Sequence, residues 1–199
     1  REMQPLTVFA TPGIHAVLDA NPIFEALNRS VVPRRAVTIE EPFELVPGLE
    51  ATLFAVPGKV PLYLEGDVVQ TDLVGEQTVG VELRAAGARI HYIPGCAMMT
   101  NALRARLDGA DVVFFDGTLW RDDEMQRAGL GEKTGKRMGH MSMSGVDGTI
   151  AAFEKIRVRQ KVFVHMNNTN PVLRPDSVER AQAEAAGWII GRDGMEITP

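Results

Sequence analysis

Three polar residues of this chain fall where an α/β fold delivers its chemistry. Asp116 ends the apolar run VVFFDG, His140 sits in MGHMSMSG, and His165 ends VFVH just before MNNTNP. Strand ends and helix entries are the edges at which open α/β sheets place their sites. A carboxylate and two imidazoles brought by separate loops to one such edge combine hard oxygen with borderline nitrogen, the donor types that zinc or ferrous iron takes. Each residue also has a plain structural use. Asp116 can satisfy backbone donors in a turn, His165 can close a strand, and His140 can bind a carbonyl at a helix entry.

The other candidates carry less. His15 in GIHAVLD and His91 in ARIHYIP read as structural. Cys96, in IPGCAMM, can be a ligand, a nucleophile or a buried small hydrophobe, and free cysteines are most often the last. One cysteine makes neither an internal disulfide nor a closed zinc-finger site. The chain has no G-x-x-x-x-G-K-[ST], G-x-G-x-x-G or G-x-S-x-G, so nucleotide binding and the hydrolase elbow lose their usual support.

These residues need elements to position them. Leu6 to Ala10 reads as a strand, TPG as a turn, and NPIFEALNR as a helix with Asn21 as cap and Pro22 at its first position. AVTIEE (36–41), LEATLFAV (49–56), TVGVELRA (78–85) and ARIHYIP (88–94) are strand-like, the last two joined as a hairpin in a mostly antiparallel meander. TNALRARLDGA predicts a helix capped by Thr100, with Leu103 and Leu107 on one face and Gly109 as its stop. A buried strand, DVVFFDG, follows. Residues 118–138 are polar and Gly-rich without a period, the pattern of a lid, a binding segment or a disordered connector. Val146, Ile150 and Phe153 are spaced along one helix face, with Ser142 or Ser144 as cap, so that His140 sits at a strand-to-helix turn. After the strand KVFVHM comes a helix with Asp176 and Glu179 at capping-box spacing and Gly187 at its end, then a hairpin in WIIGRDGMEIT. Strands first, then strands alternating with helices, give an α/β or α+β layered domain.

Composition narrows the function. The 199 residues are 45% hydrophobic and 24% charged, which suits one soluble domain with a sizeable core. A net charge of −5 with no basic patch argues against nucleic acid as a partner. No apolar run is long enough to span a bilayer, and the single cysteine fits a reducing, cytoplasmic setting. The chain opens almost directly on a strand-like run without Met, as a fragment would.

The motifs MGHMSMSG, DGTLWRDDEM and VHMNNTNPVL occur in an order and spacing that resemble the B-protein family of pyrroloquinoline quinone (PQQ) biosynthesis, PqqB, in the metallo-β-lactamase superfamily. FATPGIHAVLDANPIFEALNR and TVGVELRAAGARIHYIPGC extend the resemblance over essentially the whole chain. It implies an αββα sandwich with a metal-capable site along one edge, residues 1–199 forming the C-terminal two thirds of a single such domain. The H-x-H-x-D-H ligand motif of the superfamily, S-x-D-x-D-H in this family, is absent here. By similarity to the tRNA-processing nucleases of the superfamily, Val56, Pro57, Gly58 and Lys59 stand where a ligand histidine is expected, and Cys96 where a bridging aspartate is.

What carries over is His165, like the last metal histidine of the superfamily, and His140, like the histidine of a GHS motif, with Asp116 at an acidic strand end. The resemblance thus implies one metal, Fe(II) before Zn, held by His165 with His140 as second ligand or proton-transfer group, while Asp116 and Asn168 orient water or substrate. The implied activity is O₂-dependent hydroxylation of the tyrosine ring of a cross-linked Glu-Tyr precursor. Two other readings stay open: a soluble carrier moving PQQ or its precursor towards the periplasm, and a zinc hydrolase. Partners would be that small molecule, other PQQ-biosynthesis proteins and a second copy of the chain, since an uncovered apolar sheet face favours association.

Overall fold

The computed structural model describes residues 3–60 and 70–199. Its centre is a seven-stranded sheet in the order β3 (Pro42–Val46), β4 (Leu49–Ala55), β5 (Val79–Ala85), β6 (Ala88–Ile93), β7 (Ala110–Asp116), β8 (Val158–Val164) and β9 (Trp188–Ile190). The first four strands pair antiparallel and the last four parallel, so the expected meander covers half of the sheet. A separate parallel pair joins β1 (Val8–Ala10) to β2 (Arg34–Ala36).

Hairpin β5–β6 turns at Ala86 and Gly87, both at positive φ (49° and 84°), the geometry of a tight hairpin turn. α2 (Asn101–Leu107) begins where Thr100 Oγ1 accepts from Leu103 N–H, and it buries Leu103 and Leu107 as the sequence predicts. One sheet face packs under α2, α5 (Thr149–Ala152) and α6 (Val178–Ala185), where Phe54, Ile93, Val113, Phe115, Phe163, Trp188 and Ile190 form the core. On the opposite face, register aligns Leu53, Val81, Tyr92, Phe114, Val162 and Ile189. That apolar row is only partly covered, with Tyr92 43% exposed.

Gly80 faces Phe54 across β4–β5, and a Cβ on it would lie 2.3 Å from the Phe54 ring. Phe54 is fully buried and has no room to retreat. Gly80→Ala should therefore cost about 1–3 kcal/mol by overpacking. Urea unfolding checks this, and Phe54→Leu in the same chain should recover part of the loss.

Several local readings are corrected. Thr11 and Pro12 do not turn the chain: Thr11 caps α1 (Pro12–Ala20) and Pro12 takes its first position. NPIFEALNR forms one 3₁₀ segment, Pro22–Ala26, capped by Asn21. Within AVTIEE only Ala36 is strand, and the chain turns at residues 39–40, where Glu40 takes φ 67°. Residues 118–138 are ordered around α3 (Glu124–Arg127) and α4 (Gly135–Met138). α5 is one turn with Gly148 at its N-cap. Val146 is 93% exposed, and the Ser144 hydroxyl donates to Trp120 O instead of capping. His140 therefore follows α4, which Gly139 ends at φ 84°. Ser177, not Asp176, caps α6. β9 adds parallel to β8 with no closing hairpin among the described residues.

A buried polar cluster lies on the helix-covered face. Glu82 accepts from Arg84 Nε (2.5 Å), His91 Nε2 (3.0 Å) and Arg106 Nη1 (3.3 Å). His91 Nδ1 is buried without a partner, so a second ring proton would have no acceptor. Burial, with Arg89 and Arg106 nearby, overrides the attraction of Glu82 and pushes His91 down from 6.5 to about 4. The unfolded chain takes up this proton below about pH 6.5 while the folded chain refuses it until about pH 4, so stability is lost as the pH is lowered across that window. The loss approaches about 3 kcal/mol. Chemical unfolding at stepped pH should show it, and His91→Gln, which keeps a donor to Glu82 but cannot titrate, should flatten it.

Candidate metal centre

The site is built at the carboxyl ends of the parallel strands. β7 ends in Asp116, whose carboxylate turns back to accept Thr118 N–H at Oδ1 (3.0 Å), a local turn that fixes the DGT corner. Gly117 fits closely against β8, since a Cβ there would lie 3.0 Å from Phe163 Cβ and 3.1 Å from Val164 O. Gly117 N–H donates to Val164 O (2.8 Å) and Asn167 N–H to Thr118 O (3.0 Å). These bonds lock the loop after β7 to the loop after β8.

Asp116 is completely buried, and four hydrogen bonds fill its acceptor positions. Thr118 N–H and the Thr118 hydroxyl (2.6 Å) reach Oδ1, while Cys96 N–H (3.0 Å) and His140 Nδ1 (2.7 Å) reach Oδ2. Burial opposes its charge, but the two imidazoles and the Thr118 hydroxyl outweigh burial and hold the carboxyl below its ordinary value. An ionised carboxylate only accepts, so the proton between it and His140 belongs to Nδ1. His140 Nε2 then carries the lone pair when the ring is neutral.

His165 comes from the other side. Its ring stacks on that of His140 with centroids 5.4 Å apart and planes at 25°, and its Nδ1 lies 2.8 Å from Thr118 Oγ1 and 3.9 Å from Asp116 Oδ1. The neighbouring carboxylate raises its pKa against the effect of burial. The side chain is 53% exposed against 18% for His140, so the pair opens to solvent on the His165 side. His165 is also held at φ 56°, a left-handed conformation that costs a β-carbon-bearing residue free energy. Ligand atoms from Asp116, His140 and His165 all lie within 4.8 Å of one another.

Three of the four residues singled out from sequence are thus brought together. Asn168 is exposed on the loop after β8, where its backbone N–H donates to Asn167 Oδ1. Cys96 is fully buried, its thiol donating to Met98 O (3.3 Å), and burial beside Asp116 pushes it up to about 12, which leaves it inert. The segments that lack superfamily ligands still wrap the site. Ala97 N–H donates to Pro57 O (2.7 Å), Met141 N–H to Cys96 O (2.7 Å), and Gly139 packs on Lys59.

Sequence reasoning missed Thr118, Glu124 and Asn170. Glu124 is buried, accepting Trp120 N–H (2.7 Å) and the Thr169 hydroxyl (2.6 Å), and buried Asn170 donates to Gly117 O (2.8 Å). The D-G-T corner was the only local signal; the other two act between segments about 45 residues or more apart.

A beta-lactamase superfamily domain model matches residues 1–166. The coenzyme PQQ synthesis protein B of Gluconacetobacter diazotrophicus is 55% identical over 100% of this chain and 67% of its own length, and that of Methylorubrum extorquens AM1 is 51% identical over 99% and 66%. The crystal structure of Zn(2+)-bound PqqB from Methylobacterium extorquens superposes with a TM-score of 0.96 at 52% identity, covering 98% of this chain and 65% of that one. The chain spans about two thirds of the length of the relatives it matches.

Proposed function

Since the chain belongs to the coenzyme PQQ synthesis protein B family of the metallo-β-lactamase superfamily, we propose that it works in PQQ biosynthesis through a metal held at His165 and His140. The observation that carries this reading is the pair of stacked imidazoles, one half-exposed, above a buried and fully committed carboxylate. With its oxygens occupied, Asp116 acts behind His140 as the carboxylate that orients a ligand ring. Two imidazoles fit an ion that keeps open positions for exogenous ligands, and not a closed structural zinc site.

The reaction that suits such a centre is O₂-dependent hydroxylation of the tyrosine ring of a peptide-derived Glu-Tyr precursor. Ferrous iron, when bound, supplies the redox chemistry that O₂ requires. His165, on the solvent-open side of the pair, would hold the ion. His140, fixed by Asp116, accepts or returns a proton at Nε2. Asn168, exposed on the neighbouring loop, offers its amide to the bound precursor. Zinc is the second reading, favoured by the Zn(2+)-bound PqqB structure. The partners are the small precursor and other PQQ-biosynthesis proteins, and the partly covered apolar row through Tyr92 suits association with a second copy of the chain. No helix among the described residues is long and apolar enough to cross a membrane.

Anaerobic Fe(II) and Zn(II) titrations test this on the chain joined to the remaining length that its relatives carry, wild type against His165→Ala. One tight equivalent lost in the variant, with O₂ consumed in the presence of a tyrosine-derived precursor, supports the proposal. Binding of neither metal would overturn it and favour a carrier that holds the quinone without chemistry.

A further inference from the structure

The hydroxyl of Thr118 touches all three members of the cluster: Asp116 Oδ1 at 2.6 Å, His165 Nδ1 at 2.8 Å and His140 Nδ1 at 3.1 Å. A threonine hydroxyl has one proton and two lone pairs. The ionised Asp116 can only accept, so the short contact to Oδ1 uses the hydroxyl proton. Nothing is left to donate to His165, and a 2.8 Å contact between Nδ1 and Oγ1 then requires the proton to sit on Nδ1. His165 is thereby fixed in its Nδ1–H form with the Nε2 lone pair free. The same count at Asp116 Oδ2 fixes His140 the same way.

Thr118 is 7% exposed, and its backbone is bonded at both N–H and C=O, so the hydroxyl has little freedom to turn away. We propose that Thr118 is the positioning residue of the centre: one hydroxyl that sets the tautomer and direction of His165 and ties it to the carboxylate behind His140. The inference deepens the metal-site reading and rests on it for its consequence, but the tautomer is a property of the metal-free protein. A hydrogen-bonded outer partner of a ligand histidine commonly contributes 10- to 100-fold in metal affinity.

The test is ¹⁵N NMR of the imidazole rings in metal-free protein, taken to alkaline pH until the ring shifts report neutral imidazoles. Resonances are assigned with His140→Gln and His165→Ala. Wild type should show His165 protonated at Nδ1. Thr118→Val should release it towards the Nε2–H form, and Thr118→Ser should restore it. Zn(II) affinity should fall roughly 10- to 100-fold in Thr118→Val and recover in Thr118→Ser. An Nε2–H ring in wild type would overturn the inference even if the valine variant failed to fold, and so would an unchanged tautomer in a folded Thr118→Val. The expected tautomers with no metal bound by any variant would support the positioning role and sink the metal reading alone.

Discussion

Asparagine at position 116 should destabilise the chain by about 3–5 kcal/mol, the size expected when one partner of a buried, fully paired charge is lost. The reason lies in the donors. Two point at each carboxylate oxygen, and all of them sit in a site with no solvent exposure at Asp116. An amide keeps one acceptor oxygen, but its NH₂ must then face either Cys96 N–H and His140 or the two Thr118 donors. Whichever way it turns, buried donors oppose each other without acceptors. Urea unfolding followed by the fluorescence of Trp120 and Trp188 measures the loss. A variant within about 1 kcal/mol of wild type would show that the four-donor arrangement is not what holds this corner.

Glycine at position 165 should separate stability from ligand binding. His165→Ala and His165→Gly both remove the contact to Thr118 and the stack on His140, so their difference isolates the backbone. At most positions glycine is the less stable of the two. At φ 56° the order should reverse, with His165→Gly more stable than His165→Ala by about 1 kcal/mol. Both variants should lose Fe(II) or Zn(II) affinity by at least about 100-fold, beyond what removal of an outer partner costs. Thermal melts of the metal-free proteins and metal titrations of the same samples give the two readings. A glycine variant less stable than alanine would show that the left-handed turn is unstrained, and retained affinity would remove His165 from the ligand set.

The contrast between what the chain shows in sequence and what it hides follows the range of the interactions. The β7 strand, the β5–β6 hairpin and α2 were legible because a run of apolar residues, a two-residue turn and a Thr cap are local signals. His140 and His165 were legible as residues, through the resemblance of the motifs around them. Their stacking was not, because it joins segments 25 positions apart only after β7 and β8 have paired. The α5 reading failed for a related reason. Three apolar residues at helical spacing suggested a longer helix, yet Gly145 at φ 93° and the Ser144 bond to Trp120 stop it forming before Gly148. Glu124 and Asn170 gave no signal in sequence because their contacts to Thr169 and Gly117 cross to a different loop.

The change from antiparallel to parallel pairing at β6 also bears on how the centre comes into being. β3–β4 and β5–β6 join near neighbours, and β4–β5 and β6–β7 pair residues about 24–34 and 22 positions apart, whereas β7–β8 pairs residues about 48 positions apart. Contacts between distant parts of a chain form slowly, since the loop entropy must be lost before the strands reward it. Asp116 ends β7 and His165 follows the end of β8. Asp116 and His165 therefore depend on the pair with the longest separation in the sheet, β7–β8, and should come together late in folding. A chain in which β7 and β8 have not yet paired should accordingly hold a metal ion poorly, which metal titration across the urea transition checks.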